Sequence, residues 1–336
     1  MGQQNSGAGK DLRSDEDAYR DAFNLFLAGT DQKTRTHAYL CQVIDRLPAR
    51  RLFLDVGPGE GTMTRDIAPR FERTVCIEPN RSMRQALADT CPDARVLAEP
   101  VLQADPGVTA DLALLSHVLY YVPRPQWMAT VLRVMEWIVP GGLLLVLLEH
   151  PDSTCMRMVE HFTGSRFDLG ELADELASAP PGLIGDVRLE TVPARYRTME
   201  RDEAVTVAGF HLSFPSTVSG GGAPPARETL DDYVRRHFHD RDGGYTIGND
   251  QHVLHIERPD GTVTSAVDGA ARTGLRAGGK AEVPGARPRV RGAGAGWRVF
   301  PGGGGRDHFL ACGTFRLPTA VPGVRDSSST SLSFGS

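Results

Sequence analysis

Residues 52–61, Leu-Phe-Leu-Asp-Val-Gly-Pro-Gly-Glu-Gly, run from an apolar block into three alternating glycines. This pattern predicts a buried strand entering a tight loop, where glycine admits positive φ and lets the backbone approach a ligand closely. In an open α/β sheet such ligands lie beyond the carboxyl ends of the strands, at the point where the strand order reverses. The dinucleotide fingerprint G-x-G-x-x-G would need its third glycine at position 62, which is Thr62. The spacing here is G-x-G-x-G, through Gly57, Gly59 and Gly61. Asp55 precedes the loop, Glu60 lies inside it, and no basic residue accompanies them. An acidic loop repels a pyrophosphate and suits a cationic ligand such as a sulfonium, with Asp55 beside its methionine-like part. Glu78 follows the next apolar run, Thr-Val-Cys-Ile. A carboxylate at a strand end can accept hydrogen bonds from two ribose hydroxyls.

The elements that must position these groups are legible as periodicity. Apolar runs at Leu52–Val56, Thr74–Ile77, Arg95–Leu97, Leu112–Leu115 and Leu143–Leu148 alternate with helix-like stretches. Near-continuous apolar strands separated by helices imply a parallel sheet covered on both faces. Pro140-Gly141-Gly142 predicts a turn that launches the fifth strand. Before the sheet, Asp15–Leu47 shows helical spacing in two pieces broken at Gly29-Thr30, with Thr30 or Asp31 as the second N-cap. A helix is expected from about Ser82. Beyond the fifth strand, helices are expected over Leu169–Leu176, Glu203–Phe214 and Glu228–Phe238, and strands over Arg188–Met199 and Gln251–Glu257. The organisation predicted is a polar, disordered stretch at 1–14, N-terminal helices at 15–48 covering the site, a ligand-binding core at 49–150, a lid or substrate region with the final strands at 151–258, and a tail at 259–336.

Composition excludes several classes. The chain has 336 residues and a net charge of −5. Residues 261–336 carry a net +6 and 16 of the 37 glycines, so the rest of the chain carries −11. An acidic body argues against nucleic acid as the partner, and the glycine-rich, aperiodic tail reads as disordered. Five cysteines without a C-x-x-C pair support neither a disulfide framework nor a zinc site, and no metal is expected. The longest apolar run, 141–148, is too short to cross a bilayer, and the start lacks a signal-peptide pattern, so the expectation is a cytoplasmic protein, monomer or homodimer, without a membrane partner.

The segment Asp-Val-Gly-Pro-Gly-Glu-Gly at 55–61, the acid Glu78, and Ser-His-Val-Leu-Tyr-Tyr-Val-Pro at 116–123 together resemble the class I S-adenosylmethionine-dependent methyltransferases. The resemblance covers about residues 50–150. It implies a Rossmann-like, seven-stranded, mostly parallel sheet with helices on both faces, and S-adenosylmethionine as cofactor. By the same resemblance Gly57, Gly59 and Gly61 would line the methionine part, Glu78 would hold the ribose, Met83 would pack near the adenine, Glu99 would approach the adenine amine, and Ser116 and His117 would flank the donor. The stretch Phe-Leu-Ala-Gly-Thr-Asp-Gln-Lys-Thr at 26–34 is similar to small-molecule N-methyltransferases of the histamine type.

Methyl transfer is an in-line displacement, so alignment dominates, and a base helps when the nucleophile is a hydroxyl, an ammonium or a carbon acid. Strand ends aim His117, Tyr120 and Tyr121, and then Glu149 and His150, at the site, while His161 and His211 lie in the region beyond. His117 and His150 are the candidate bases, with Tyr121 a further proton-handling group. Tyr19, Phe23, Lys33, Tyr120 and His211 are the candidate acceptor contacts, within a wider set of aromatics: Phe26, Tyr121, Phe162, Tyr196, Phe210 and Phe214. The expected function is methyl transfer to a small molecule, at nitrogen, oxygen or carbon, in specialised metabolism. A protein or RNA methyltransferase, a nicotinamide oxidoreductase, and a non-catalytic donor-binding protein are the competing readings.

Overall fold

The computed structural model describes residues 16–179, 182–213 and 224–260, and the stretches predicted disordered at 1–14 and beyond 260 lie outside them. Strand β1 (Leu52–Val56) is buried along its whole length, as a central strand covered on both faces must be. It pairs in parallel with β2 (Arg73–Ile77) on one side and β4 (Ala110–Ser116) on the other. Further parallel pairs join β2 to β3 (Arg95–Leu97) and β4 to β5 (Ile138–Glu149). Antiparallel β9 (Gln251–Glu257) and β6 (Val187–Val192) complete a seven-stranded sheet in the order β3-β2-β1-β4-β5-β9-β6. The sheet order reverses between β1 and β4. Both the loop after β1 and the loop after β4 therefore open onto one crevice.

Alternation along the strands divides the core in two. Phe53, Leu112, Leu114, Leu145 and Leu147 face one side, under α2 (Gln32–Asp45), which packs Leu40, Val43 and Ile44 onto them. Leu54, Val56, Leu115, Val146 and Leu148 face the other side, under α5 (Trp127–Met135) and α7 (Leu169–Ala177). Helix α1 (Glu16–Gly29) lies beside α8 (Arg201–Leu212), with Phe26 stacked on Phe210 at 5.7 Å between ring centroids. The first glycine-loop helix, α3 (Thr62–Ile67), is short, and α4 (Arg81–Thr90) starts where Asn80 accepts the backbone N–H of Ser82 and Met83. Among the described residues, no helix is long and apolar enough to cross a membrane.

Three expectations change. Arg188–Met199 is not one strand: Pro193 lacks a donor N–H, and the chain splits there into β6 and β7 (Arg195–Thr198). Strand β7 pairs instead with β8 (Tyr245–Gly248) in a separate two-stranded sheet. Pro140-Gly141-Gly142 is not a turn ahead of β5 but an irregularity within it, because Ile138 already pairs with Ala110 and the register resumes at Leu143–Leu112. Helix α6 (Thr154–Thr163) has no counterpart in the sequence reading, although Ser153 caps its start and Gly164, at φ 70°, ends it. The last helix, α9 (Arg227–His237), falls where expected. Around the second helix the cap is shared: Thr30 Oγ1 accepts the Gln32 N–H, while Asp31 accepts from Arg195 N–H and from Arg35.

Candidate active site

The loops after β1 and β4 border a cavity of about 590 Å³, closed by α1, α2 and α8. This size falls within the usual range of small-molecule sites, roughly 300–1,000 Å³. At one end Gly57, Pro58 and Gly59 present backbone to the cavity. Gly57 has φ 73° and lies so close to the second loop that a Cβ would stand 2.5 Å from Val118 Cγ2. Gly59 also has positive φ, 59°, but a Cβ there would meet nothing within 4 Å. Its Cβ side is open space, and the residue borders the cavity. Glu78 borders the same end, one oxygen accepting Gly59 N–H at 3.0 Å and the other Asn80 N–H at 2.8 Å. Met83 and Ser116 line this end as well.

At the other end stand Phe23 and Phe26 of α1, Phe210 and His211 of α8, and Glu149 at the end of β5. Lys33 reaches over the Phe23 ring, its Nζ 5.6 Å from the centroid, and burial lowers its pKa. Tyr121 lines the cavity with 61% of its surface exposed. Tyr120 is buried, and its hydroxyl accepts the Glu149 backbone N–H at 2.8 Å.

His117 lies between the two ends. It is the only non-glycine residue with positive φ among those described, at 59°. Such a conformation costs an L-residue roughly 1–2 kcal/mol and is held here by two bonds. Its N–H donates to Leu147 carbonyl at 2.9 Å, and its ring Nε2 lies 2.8 Å from Gln251 Nε2. The Gln251 NH2 donates to the imidazole, and its Oε1 lies against the Thr36 hydroxyl, which is also 2.8 Å from the Gln32 carbonyl. The Nε2 lone pair of His117 is thereby occupied, and burial lowers the pKa of the ring.

The cavity brings together Gly57, Gly59, Glu78, Met83, Ser116, His117, Tyr120, Tyr121, Phe23, Lys33 and His211. Four predicted residues fall elsewhere. Asp55 points from β1 to the opposite side of the loop, is buried, and accepts the Thr64 hydroxyl at 2.7 Å. Burial, with the Glu78 charge adding to it and the Thr64 bond opposing it, pushes its pKa to about 7. Gly61 packs against Leu87, 2.4 Å from where its Cβ would be, rather than lining the cavity. Glu99 is exposed and outside the lining, because the short β3 ends two residues earlier, at Leu97, and the chain turns outward. His150 takes the side of β5 opposite to Glu149, as strand alternation requires. There it rests against His252 at 3.9 Å between ring centroids, and its Nδ1 accepts Asp152 N–H. The side chains of Tyr19 and Phe214 lie outside the described residues, and Phe162 and Tyr196 do not reach the cavity.

Glu149, aimed at the site by the end of its strand, lines the cavity, as does Gln32 beside Lys33, whereas Gln251 and Thr36 were not singled out by the sequence reading.

A family model described as a methyltransferase domain matches residues 32–181, which contain the glycine loop, Glu78 and the loop after β4. The search of curated proteins finds no match. Among solved structures, the N-methyltransferase NodS from Bradyrhizobium japonicum WM9, in complex with S-adenosyl-L-homocysteine, is 16% identical, with 67% of this chain and 86% of that chain covered and a TM-score of 0.42. YcgJ from Bacillus subtilis is 13% identical over 66% of this chain and 99% of that chain, with a TM-score of 0.45. CalS10, an amino pentose methyltransferase from Micromonospora echinaspora, is 22% identical over 48% of this chain and 61% of that chain, with a TM-score of 0.33. The matched methyltransferase domain spans strands β1 to β5 and the glycine crevice.

Proposed function

We propose that the chain transfers a methyl group from S-adenosylmethionine to a small molecule held between α1 and α8, with nitrogen or oxygen as the accepting atom. The observation that carries this reading is the single cavity joining two unlike ends: glycine backbone and Glu78 on one side, aromatic rings and a buried carboxylate on the other. The open side of Gly59 and the Glu78 carboxylate at the end of β2 fit the donor, with Met83 and Ser116 beside them. The donor supplies an activated methyl on a sulfonium. The protein's part is to hold the acceptor in line with it, to exclude water with Phe23, Phe26 and Phe210, and to keep the sulfonium charge near Glu78 and Glu149. Preorganised alignment of this kind accounts for roughly 7–11 kcal/mol of a barrier. The cavity volume of about 590 Å³ suits a small acceptor rather than a folded protein or an RNA.

Two measurements test this. S-adenosylhomocysteine at about 100 times its dissociation constant should add roughly 2.7 kcal/mol to stability and raise the melting temperature, whereas NAD should not. With methyl-labelled donor and a cell extract separated by size, label should appear in the small-molecule filtrate. Label confined to the macromolecular fraction, or a shift with NAD alone, would refute the reading.

A further inference from the structure

Glu149 is an unusual residue to find at the acceptor end. It is 3% exposed, yet it borders the cavity. One oxygen accepts from Gln32 Nε2 at 3.2 Å and lies 3.6 Å from His211 Nε2. The other oxygen has no hydrogen-bond partner among the described residues. A buried carboxylate oxygen left without a donor costs several kcal/mol unless something brought into the site compensates it.

The neighbours decide what that something is. His211 Nδ1 lies 2.8 Å from the Val207 carbonyl, an acceptor only, so Nδ1 carries the proton and Nε2 is the nitrogen turned to Glu149. The Cys155 Sγ is within 4.8 Å of both groups, and burial keeps its thiol protonated. Burial raises the Glu149 pKa, while His211 and His117, when protonated, and a hydrogen bond from Cys155 lower it, and the balance falls below the ordinary value. The rings of Phe26 and Phe210 flank His211 at 4.9 and 5.2 Å. A buried anion set among aromatic faces is a receptor for an organic cation.

We infer that the acceptor enters as an ammonium, that Glu149 recognises its charge, and that His211 takes its proton. This rests on the methyl-transfer reading above. The ammonium N–H bond breaks and its proton passes to His211 Nε2, directly or by way of Glu149, leaving an imidazolium beside a carboxylate. The freed lone pair on nitrogen forms the new N–C bond, while the electron pair of the C–S bond leaves with sulfur. The net products are the methylated ammonium, the thioether and one proton on the protein. A hydroxyl acceptor carries no charge for Glu149 to meet.

The test is calorimetric, on the full chain saturated with S-adenosylhomocysteine, with 2-phenylethylamine and its neutral isostere 2-phenylethanol as probes. The amine should bind at least tenfold more tightly than the alcohol. Glu149→Gln, measured at saturating S-adenosylhomocysteine, should abolish that preference. His211→Asn should keep amine binding but lower turnover of an amine substrate by a hundredfold or more, a split between binding and rate that a packing defect would not produce. Equal binding of the two probes, tighter binding of the alcohol, no amine binding, or a preference that survives in Glu149→Gln would overturn the inference. Failure of S-adenosylhomocysteine itself to bind would instead remove the reading beneath it.

Discussion

Two glycines only two residues apart should respond to the same substitution in opposite ways. Gly57→Ala places a methyl group 2.5 Å from Val118 Cγ2, on a backbone at φ 73°. The left-handed conformation costs an alanine roughly 1–2 kcal/mol, and forcing an extra methyl into a packed contact costs about 1–3 kcal/mol more. The total, roughly 2–5 kcal/mol, corresponds to a fall in melting temperature of about 4–20 °C for a domain of this size. Gly59→Ala bears only the backbone term, at φ 59°, because its Cβ meets nothing within 4 Å. It should lose about 1–2 kcal/mol, a few degrees. Because Gly59 borders the proposed donor end of the cavity, the variant's affinity for S-adenosylhomocysteine should fall at least tenfold. Differential scanning calorimetry gives the stabilities and isothermal titration the affinities. The reasoning is refuted if Gly59→Ala binds S-adenosylhomocysteine as the wild type does, or if Gly57→Ala is as stable as Gly59→Ala.

Further outcomes follow from individual contacts. Asp55 has its folded pKa raised from 3.8 to about 7, chiefly by burial, so its contribution is fully present below about pH 3.8 and is lost as pH rises toward about 7. Asp55→Asn should therefore gain stability over the wild type across that interval, up to about 4 kcal/mol at neutral pH. Melting curves of the pair from acid to neutral pH check this, and a constant difference would contradict it. Glu78→Gln should weaken S-adenosylhomocysteine binding roughly 10- to 150-fold, the worth of a hydrogen bond to a charged group, read by titration. Tyr120→Phe leaves the buried Glu149 N–H without its hydroxyl acceptor and should cost about 1–3 kcal/mol in chemical denaturation.

Period and punctuation made most of the sheet legible. Leu52–Val56, Arg95–Leu97 and Gln251–Glu257 form strands with the predicted bounds, and the first of them, central and parallel, is buried along its whole length. The two-stranded β7–β8 sheet was hidden, since short edge pairs with Arg195 and Arg197 facing outward carry almost no apolar signal. Gly57, Gly59 and Glu78 reach the cavity because strand ends point there whatever the side-chain details. Asp55 and His150 do not, because which side of a strand a residue takes depends on alternation, and a single sequence position near a loop does not reveal it. The pair of Glu149 and His211 joins β5 to a helix sixty residues later, a tertiary meeting that no local pattern records. His117 was visible as a candidate, but its occupied Nε2 depends on Gln251 and Thr36, from β9 and α2.

The most direct test of the account is a crystal structure of the full chain grown with S-adenosylhomocysteine. The compound should lie against the backbone of Gly57 and Gly59 with its ribose hydroxyls on Glu78, its sulfur facing the space beside Glu149. Density for it on another surface, or a cavity that stays closed to it at saturating concentration, would contradict the central claim.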